Sequence, residues 1–120
     1  MIAAIGAMGA LGACARYFIS SYHVTKNIDY FPRATFLVNI LGSFILGSLI
    51  SFYEQAILSE WLWYLFGVGF LGAFTTFSTF SYEWIIYMRE KQYVRAISYV
   101  FISLVVGIVA AYLAYWIFKL

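Results

Sequence analysis

Charged side chains divide the chain into long apolar segments. Residues 34–53, 61–82 and 96–118 contain no Asp, Glu, Lys or Arg, and these runs have 20, 22 and 23 residues. Residues 2–15 are also uncharged, and the apolar character continues past Arg16. A bilayer core of about 30 Å is crossed by about 20 helical residues, so each run is long enough to span it. The pattern predicts four transmembrane segments, at residues 2–22, 33–53, 61–88 and 94–118.

These segments should be helices. Lipid cannot satisfy free backbone N–H and C=O groups, and the apolar runs lack the alternation of a membrane barrel strand. Charged residues make up 10% of the chain, whereas soluble domains carry about 25%. The connections are short, so we expect an all-α membrane protein with a single transmembrane domain over residues 1–120 and the lipid bilayer as its surroundings. The sequence has no phosphate-binding loop, Cys/His cluster or basic nucleic-acid-binding segment, so we expect neither an enzyme nor a nucleic-acid partner.

Polar side chains at membrane depth are the candidates for function. Thr35, Asn39 and Ser43 are spaced i, i+4, i+8 and share one face of the second helix. Tyr99 and Ser103 are four residues apart on the fourth helix. Either set could line a pathway, or could hold the bundle together by interhelical hydrogen bonds.

The third helix has the most unusual composition. Residues 67–83 read GVGFLGAFTTFSTFSYE, in which three glycines precede five hydroxyl residues at positions 75–81. Glycine permits a break in mid-membrane, and neighbouring hydroxyls can satisfy the freed backbone groups. We expect the third helix to be broken near residues 72–77, with carbonyls available to a cation and N–H groups available to an anion. The alternative is a kinked packing seam.

Two charged residues lie well inside the predicted spans, whereas Arg33 and Arg95 lie at span ends. Arg16 lies six residues from the end of the first helix, either snorkelling to the interface or acting as a fixed cation near an anion entrance. Glu83 comes late in the third helix, and no acidic residue occupies the centre of a span. A proton-coupled carrier normally needs such a carboxylate, so the sequence favours passive passage of an anion.

The chain should work as an oligomer, because four helices leave little room for a pathway. Small residues on the first two helices favour close packing, which we expect to lie between subunits. These residues are Gly6, Gly9, Gly12, Gly42 and Gly47.

Basic residues are distributed unevenly across the membrane. Five fall at the side of the first and third connections, and only Lys119 falls at the other. The five are Lys26, Arg33, Arg89, Lys91 and Arg95. The positive-inside rule then places both termini outside the cell.

Three stretches of the chain resemble the Fluc (CrcB) fluoride channels. They are residues 12–17 (GACARY), 35–44 (TFLVNILGSF) and 69–83 (GFLGAFTTFSTFSYE). The third is long and compositionally odd, which makes it the most specific. Ala34, Ala73 and Met8 stand where the family often has glycine. Because alanine is small, we expect the helix break to survive.

The resemblance implies an antiparallel, dual-topology dimer in a bacterial plasma membrane, with multi-pass subunits and two passive fluoride pores. A central structural sodium ion would be held by the backbone carbonyls of Gly72 and Thr75. Arg16 and Glu83 would lie at vestibules. The fluoride pore would be lined by Asn39, Phe77, Phe80, Ser78, Thr79, Tyr99 and Ser103.

The charge distribution conflicts with one part of this expectation. A subunit that pairs with itself in antiparallel fashion must insert both ways, and five basic residues against one do not favour that. We therefore expect pairing with an oppositely oriented paralogue, with a homodimer as the alternative. Two other functions stay open: a four-helix dual-topology multidrug exporter, although the first helix lacks the glutamate typical of those proteins, and a non-conducting membrane assembly protein.

Overall fold

A computed structural model of the chain describes residues 1–22 and 31–119. For Tyr22 it describes the main chain and not the side chain. All regular structure in these ranges is helical, and four helical segments are long and apolar enough to cross a membrane, as predicted. Lys26, one of the five basic residues counted on one side of the membrane, lies outside the described residues. The elements are α1 (Ile2–Tyr22), α2 (Arg33–Glu54), α3 (Glu60–Leu62), a π-helix (Trp63–Phe70), α4 (Leu71–Phe74), α5 (Ser78–Arg89) and α6 (Tyr93–Ile117).

The turn between the second and third spans is defined by the backbone of Ala56 and the side chain of Ser59. Ala56 adopts a positive φ of 60° just after α2, which stops that helix. Ser59 then caps α3, because its hydroxyl accepts a hydrogen bond from the Leu62 N–H at 3.3 Å. The third span, Glu60–Arg89, starts from this cap.

The third span is not one α-helix. It begins with the short α3, widens into the π-helix and continues as α4. The chain is then non-helical at residues 75–77 before α5 resumes. This interruption falls within the range where the sequence predicts a break, whereas the π-helix has no counterpart in the sequence-based expectation.

Glycine allows the spans to approach closely. A Cβ at Gly12 would lie 2.1 Å from the Phe70 carbonyl oxygen, so α1 crosses the π-helix with no room for a side chain. A Cβ at Gly47 would lie 2.1 Å from the carbonyl oxygen of Ala111, where α2 crosses α6. Such crossings need residues without a side chain.

The expectation that small residues pack between subunits is wrong for four of the five glycines. Gly9, Gly12, Gly42 and Gly47 face other helices of the same chain, and only Gly6 has no neighbour within 4 Å. The reason is that helices cross closely within one chain. Because α1 packs along the third span and α2 packs along α6, each pair of helices needs small residues at its own contact.

Two small clusters form the core. Val38, Leu71 and Phe74 bury the contact between α2 and α4. Tyr87, Ala96 and Tyr99 bury the contact between α5 and α6. The helix break lies between these clusters, so each half of the third span is anchored separately.

Candidate functional site

An open cleft of about 510 Å³ lies beside the break in the third span. Its walls come from α2, from both sides of the break and from α6. Six of the predicted pore and cation-site residues line it, namely Asn39, Gly72, Thr75, Phe77, Phe80 and Ser103. The remaining lining residues are Gly42, Ser43, Leu46, Gly67, Leu71, Thr76 and Leu104.

Asn39 joins α2 to the break through a two-way hydrogen bond. Its Nδ2 donates to the Thr76 carbonyl at 2.9 Å, and its Oδ1 accepts from the Thr76 N–H at 2.9 Å. The side-chain amide thus pairs with the main chain much as a neighbouring strand would. An Asn amide carries two N–H donors. The second one has no acceptor among the described residues, so it can serve a ligand in the cleft.

Thr76 also organises the start of α5. Its Oγ1 accepts from the Thr79 N–H at 3.3 Å and lies 2.5 Å from Thr79 Oγ1 and 3.3 Å from Ser78 Oγ. This satisfies one of the free N–H groups at the helix start. Ser78 and Thr79 are exposed beside the cleft, and their hydroxyls belong to this network.

Phe77 and Phe80 stand as a pair at the start of α5. Their ring centroids are 6.1 Å apart at an interplanar angle of 30°. Phe77 is 79% exposed although it lies at membrane depth, whereas Phe80 packs on Tyr99 with ring centroids 4.8 Å apart. Phe77 therefore contributes little to the core and is free to act at the cleft.

Tyr99 lies behind Phe80 and does not line the cleft. It is 1% exposed, and its hydroxyl donates to Glu83 Oε2 at 3.2 Å. The Thr35 hydroxyl donates to Glu83 Oε1. The Glu83 carboxylate is thus half-buried and held from α2 and α6 together. Thr35 belongs to the polar face of α2 that the sequence analysis identifies, but its bond to Glu83 has no local signal in the sequence.

Ser103 provides a polar group without a partner. Its Oγ is buried, lines the cleft and has no hydrogen-bond partner in the described part of the chain. A buried hydroxyl without a partner is costly unless a ligand or water satisfies it. Ser43, which also lines the cleft, instead bonds to the Asn39 carbonyl of its own helix at 2.8 Å.

Arg16 reaches the break from the side of α1. Its Nε donates to the Ala73 carbonyl at 3.0 Å, and its side chain is half-buried. Arg16 is not among the residues that line the cleft. The bond occupies a carbonyl in the last turn of α4, where a cation is also favoured by the helix dipole.

The two predicted cation ligands retain free carbonyl oxygens. The Thr75 N–H bonds to the Leu71 carbonyl at 3.0 Å, but the Thr76 N–H, which would meet Gly72 in a continuous helix, is taken by Asn39. Within residues 1–22 and 31–119 no donor reaches the Gly72 or Thr75 carbonyl. Gly72 is exposed, and a Cβ added there would meet no atom within 4 Å. Neutral carbonyl oxygens suit a hard monovalent cation, and no cluster of three His, Cys, Asp or Glu residues occurs in these ranges.

The chain is similar to one family of known proteins along almost its whole length. The family model described as "CrcB-like protein, Camphor Resistance (CrcB)" matches residues 3–115. A Vibrio cholerae protein named "Fluoride-specific ion channel FluC" is 41% identical over 113 residues, which cover 92% of this chain and 90% of that protein. A Halalkalibacterium halodurans protein named "Fluoride-specific ion channel FluC 1" is 42% identical over 118 residues, covering 94% of this chain and 91% of that protein.

The relatives and the fold agree on the cellular setting. Both relatives are bacterial, and four helices of this chain are long and apolar enough to cross a membrane. The protein is a multi-pass component of the bacterial plasma membrane. With a family model matching residues 3–115 and relatives about 40% identical over most of their length, the chain belongs to the CrcB family.

Proposed function

We propose that the protein is a fluoride channel that lets the ion leave the cell passively, built from one transmembrane domain. The single observation that carries the proposal is the cleft at the helix break, where unpaired neutral donors meet two phenyl rings. The names of its relatives support the choice of ion. No step of a chemical reaction is required of these residues, so we propose a channel and not an enzyme.

Fluoride is small and strongly hydrated, so a pore must replace its water with other donors. The free N–H of Asn39 and the hydroxyl of Ser103 are such donors in the cleft. Phe77 and Phe80 offer the positive edges of their rings, which attract an anion more weakly than a charge does. Weak contacts let the ion leave, as conduction requires.

The pore continues beyond the cleft along hydroxyl groups. We propose that Ser78 and Thr79 extend it at the start of α5, and that Tyr99 supports its wall behind Phe80. Arg16 and Glu83 are proposed to lie at vestibules. Both are half-buried and outside the cleft lining.

We propose that a structural sodium ion is held by the backbone carbonyls of Gly72 and Thr75. Their lack of donors from the described residues supports this. When bound, the ion supplies a fixed positive charge that offsets the dipoles of carbonyls left open by the break. Two carbonyls are fewer than a hard cation requires, so further ligands are proposed to come from a second subunit.

The proposed partner is a second subunit in antiparallel orientation. The cleft is open and Phe77 is largely exposed, so one chain supplies only part of a pore wall. Because basic residues fall mainly on one side of the membrane, we propose an oppositely oriented paralogue in preference to a second copy of this chain. Fluoride currents and a symmetric crosslink from the purified chain alone would defeat the paralogue and leave the channel intact.

Ion efflux from liposomes tests the function directly. The chain is reconstituted alone and with a paralogue from the same genome, and fluoride release is compared with chloride release from matched liposomes. We expect release of fluoride and retention of chloride in at least one of the two preparations. Release of neither anion in both would refute the channel, and proton-driven movement of an organic cation would favour the exporter. A folded protein that conducts nothing would favour an assembly protein.

A further inference from the structure

Side chains from two other helices bond to main-chain carbonyls around the break. After Leu71, whose carbonyl binds the Thr75 N–H, the carbonyl of Ala73 is taken by Arg16 and that of Thr76 by Asn39. The two carbonyls of the proposed cation site each immediately precede one of these occupied carbonyls in the chain. Side chains from α1 and α2 therefore hold the peptide units next to the ones that would bind the cation.

The bond from Arg16 has no competing charge partner. The described residues place no carboxylate in an ion pair with Arg16, and its Nε lies 3.0 Å from the Ala73 oxygen. A charged side chain at membrane depth is costly unless its donors are used. The contact with Ala73 thus fixes both the arginine and the main chain that it meets.

We infer that Arg16 is a positioning residue for the cation site, because its bond to the Ala73 carbonyl holds the main chain that presents the Gly72 carbonyl. The inference rests on the proposed function, since it presupposes the sodium ion. It assigns the positioning of the Gly72 carbonyl to the Nε–H donor of Arg16 and not to the positive charge of that side chain. The two contributions can be separated by substitution.

Arg16→Gln and Arg16→Met form a matched pair for this purpose. Counting bonds from Cα, the Nε2 of glutamine stands where arginine has Nε, so Gln keeps a donor there without a charge. Methionine places a methyl group at the same distance and supplies no donor. Both variants are neutral and similar in length, so any difference between them reports the hydrogen bond.

Two measurements are made in the assembly in which the wild-type chain conducts. The first is the sodium concentration that gives half-maximal fluoride efflux. The second is the rise in unfolding temperature that sodium produces in detergent, which does not depend on conduction. We expect Arg16→Met to raise the half-maximal sodium concentration up to about tenfold and to reduce the thermal shift, since one hydrogen bond contributes on that order. We expect Arg16→Gln to leave both unchanged or to bind sodium more tightly, because a like charge is removed.

Equal effects in both variants would overturn the inference, because charge or side-chain bulk would then be responsible. Should Arg16→Met fail to fold, Arg16→Lys replaces it in the comparison with Arg16→Gln. If Arg16→Lys then responds to sodium like the wild type while Arg16→Gln does not respond, the inference is also overturned, because the charge would be responsible. A wild-type fluoride flux that ignores sodium would remove the cation site and this inference with it, but would leave the channel standing. Absence of any wild-type flux would refute the proposed function itself.

Discussion

Replacing Gly12 with alanine tests how closely α1 approaches the third span. The added Cβ would lie 2.1 Å from the carbonyl oxygen of Phe70 and 3.0 Å from its carbonyl carbon. Carbon–oxygen contacts in proteins are ordinarily about 3.3 Å or longer, so the overlap is about 1.2 Å. The opposing atoms belong to the main chain and cannot rotate away. The two helices must therefore move apart.

The expected cost follows from two opposing effects. Overpacking a close contact costs about 1–3 kcal/mol, and a main-chain neighbour favours the upper end of that range. Alanine is the better helix former by about 1 kcal/mol, which offsets part of this loss. We expect Gly12→Ala to lower the free energy of unfolding by about 2 kcal/mol, which is a factor of about 30 in the unfolding equilibrium.

Gly6→Ala is the matched control on the same helix. A Cβ at Gly6 meets no atom within 4 Å, so that substitution should leave the free energy of unfolding unchanged or raise it. Both variants are titrated with denaturant in detergent micelles, and unfolding is followed by circular dichroism. If Gly12→Ala is as stable as Gly6→Ala, α1 does not cross the π-helix at the close distance inferred from Gly12, and the reasoning fails.

Three further substitutions separate conduction from stability. Phe77→Ile should change the free energy of unfolding by less than about 0.5 kcal/mol because the ring is 79% exposed, yet lower fluoride efflux; unaltered efflux would remove Phe77 from the pore. Asn39→Asp should lower efflux at least about tenfold in folded protein, since it replaces the donor to the Thr76 carbonyl with a charged acceptor; efflux at the wild-type rate would contradict this. Tyr99→Phe should destabilise the fold by about 1.5 kcal/mol, because a buried hydroxyl bond to Glu83 is lost; denaturant titration against Tyr17→Phe, on an exposed side chain, measures it.

Much of the architecture could be predicted from local composition. The spans follow from charge-free runs, and the break follows from the glycines and hydroxyls of residues 67–81. Helical spacing also placed Thr35 and Asn39 on one face, and both do contact the third span. These are properties of short segments, so a single sequence contains the information.

The contacts across helices could not be predicted in the same way. The sequence identified Arg16 as a charge at membrane depth, but not that it binds the Ala73 carbonyl. It identified Asn39 as a donor, but not that Thr76 takes up one N–H and the amide oxygen. Such partners depend on where α1 and α2 cross the third span, which is set by the packing of Gly12 and Gly42 and leaves no local pattern.

The π-helix Trp63–Phe70 has a consequence for how chain length is tolerated in this molecule. A π-bulge holds one residue more per turn than the α-form, so the segment contains slack that a deletion could take up. Deleting one residue from a regular α-helix turns everything on one side by about 100° about the helix axis relative to the other, since an α-helix advances 3.6 residues per turn. The loss of one residue from the π-helix would instead close its wide turn to the α-form, so Trp61 and its neighbours would keep nearly the same azimuth and the span would stay long enough to cross the bilayer. This stretch can thus lose one residue with little change in the angular phase between the start of the span and its midpoint.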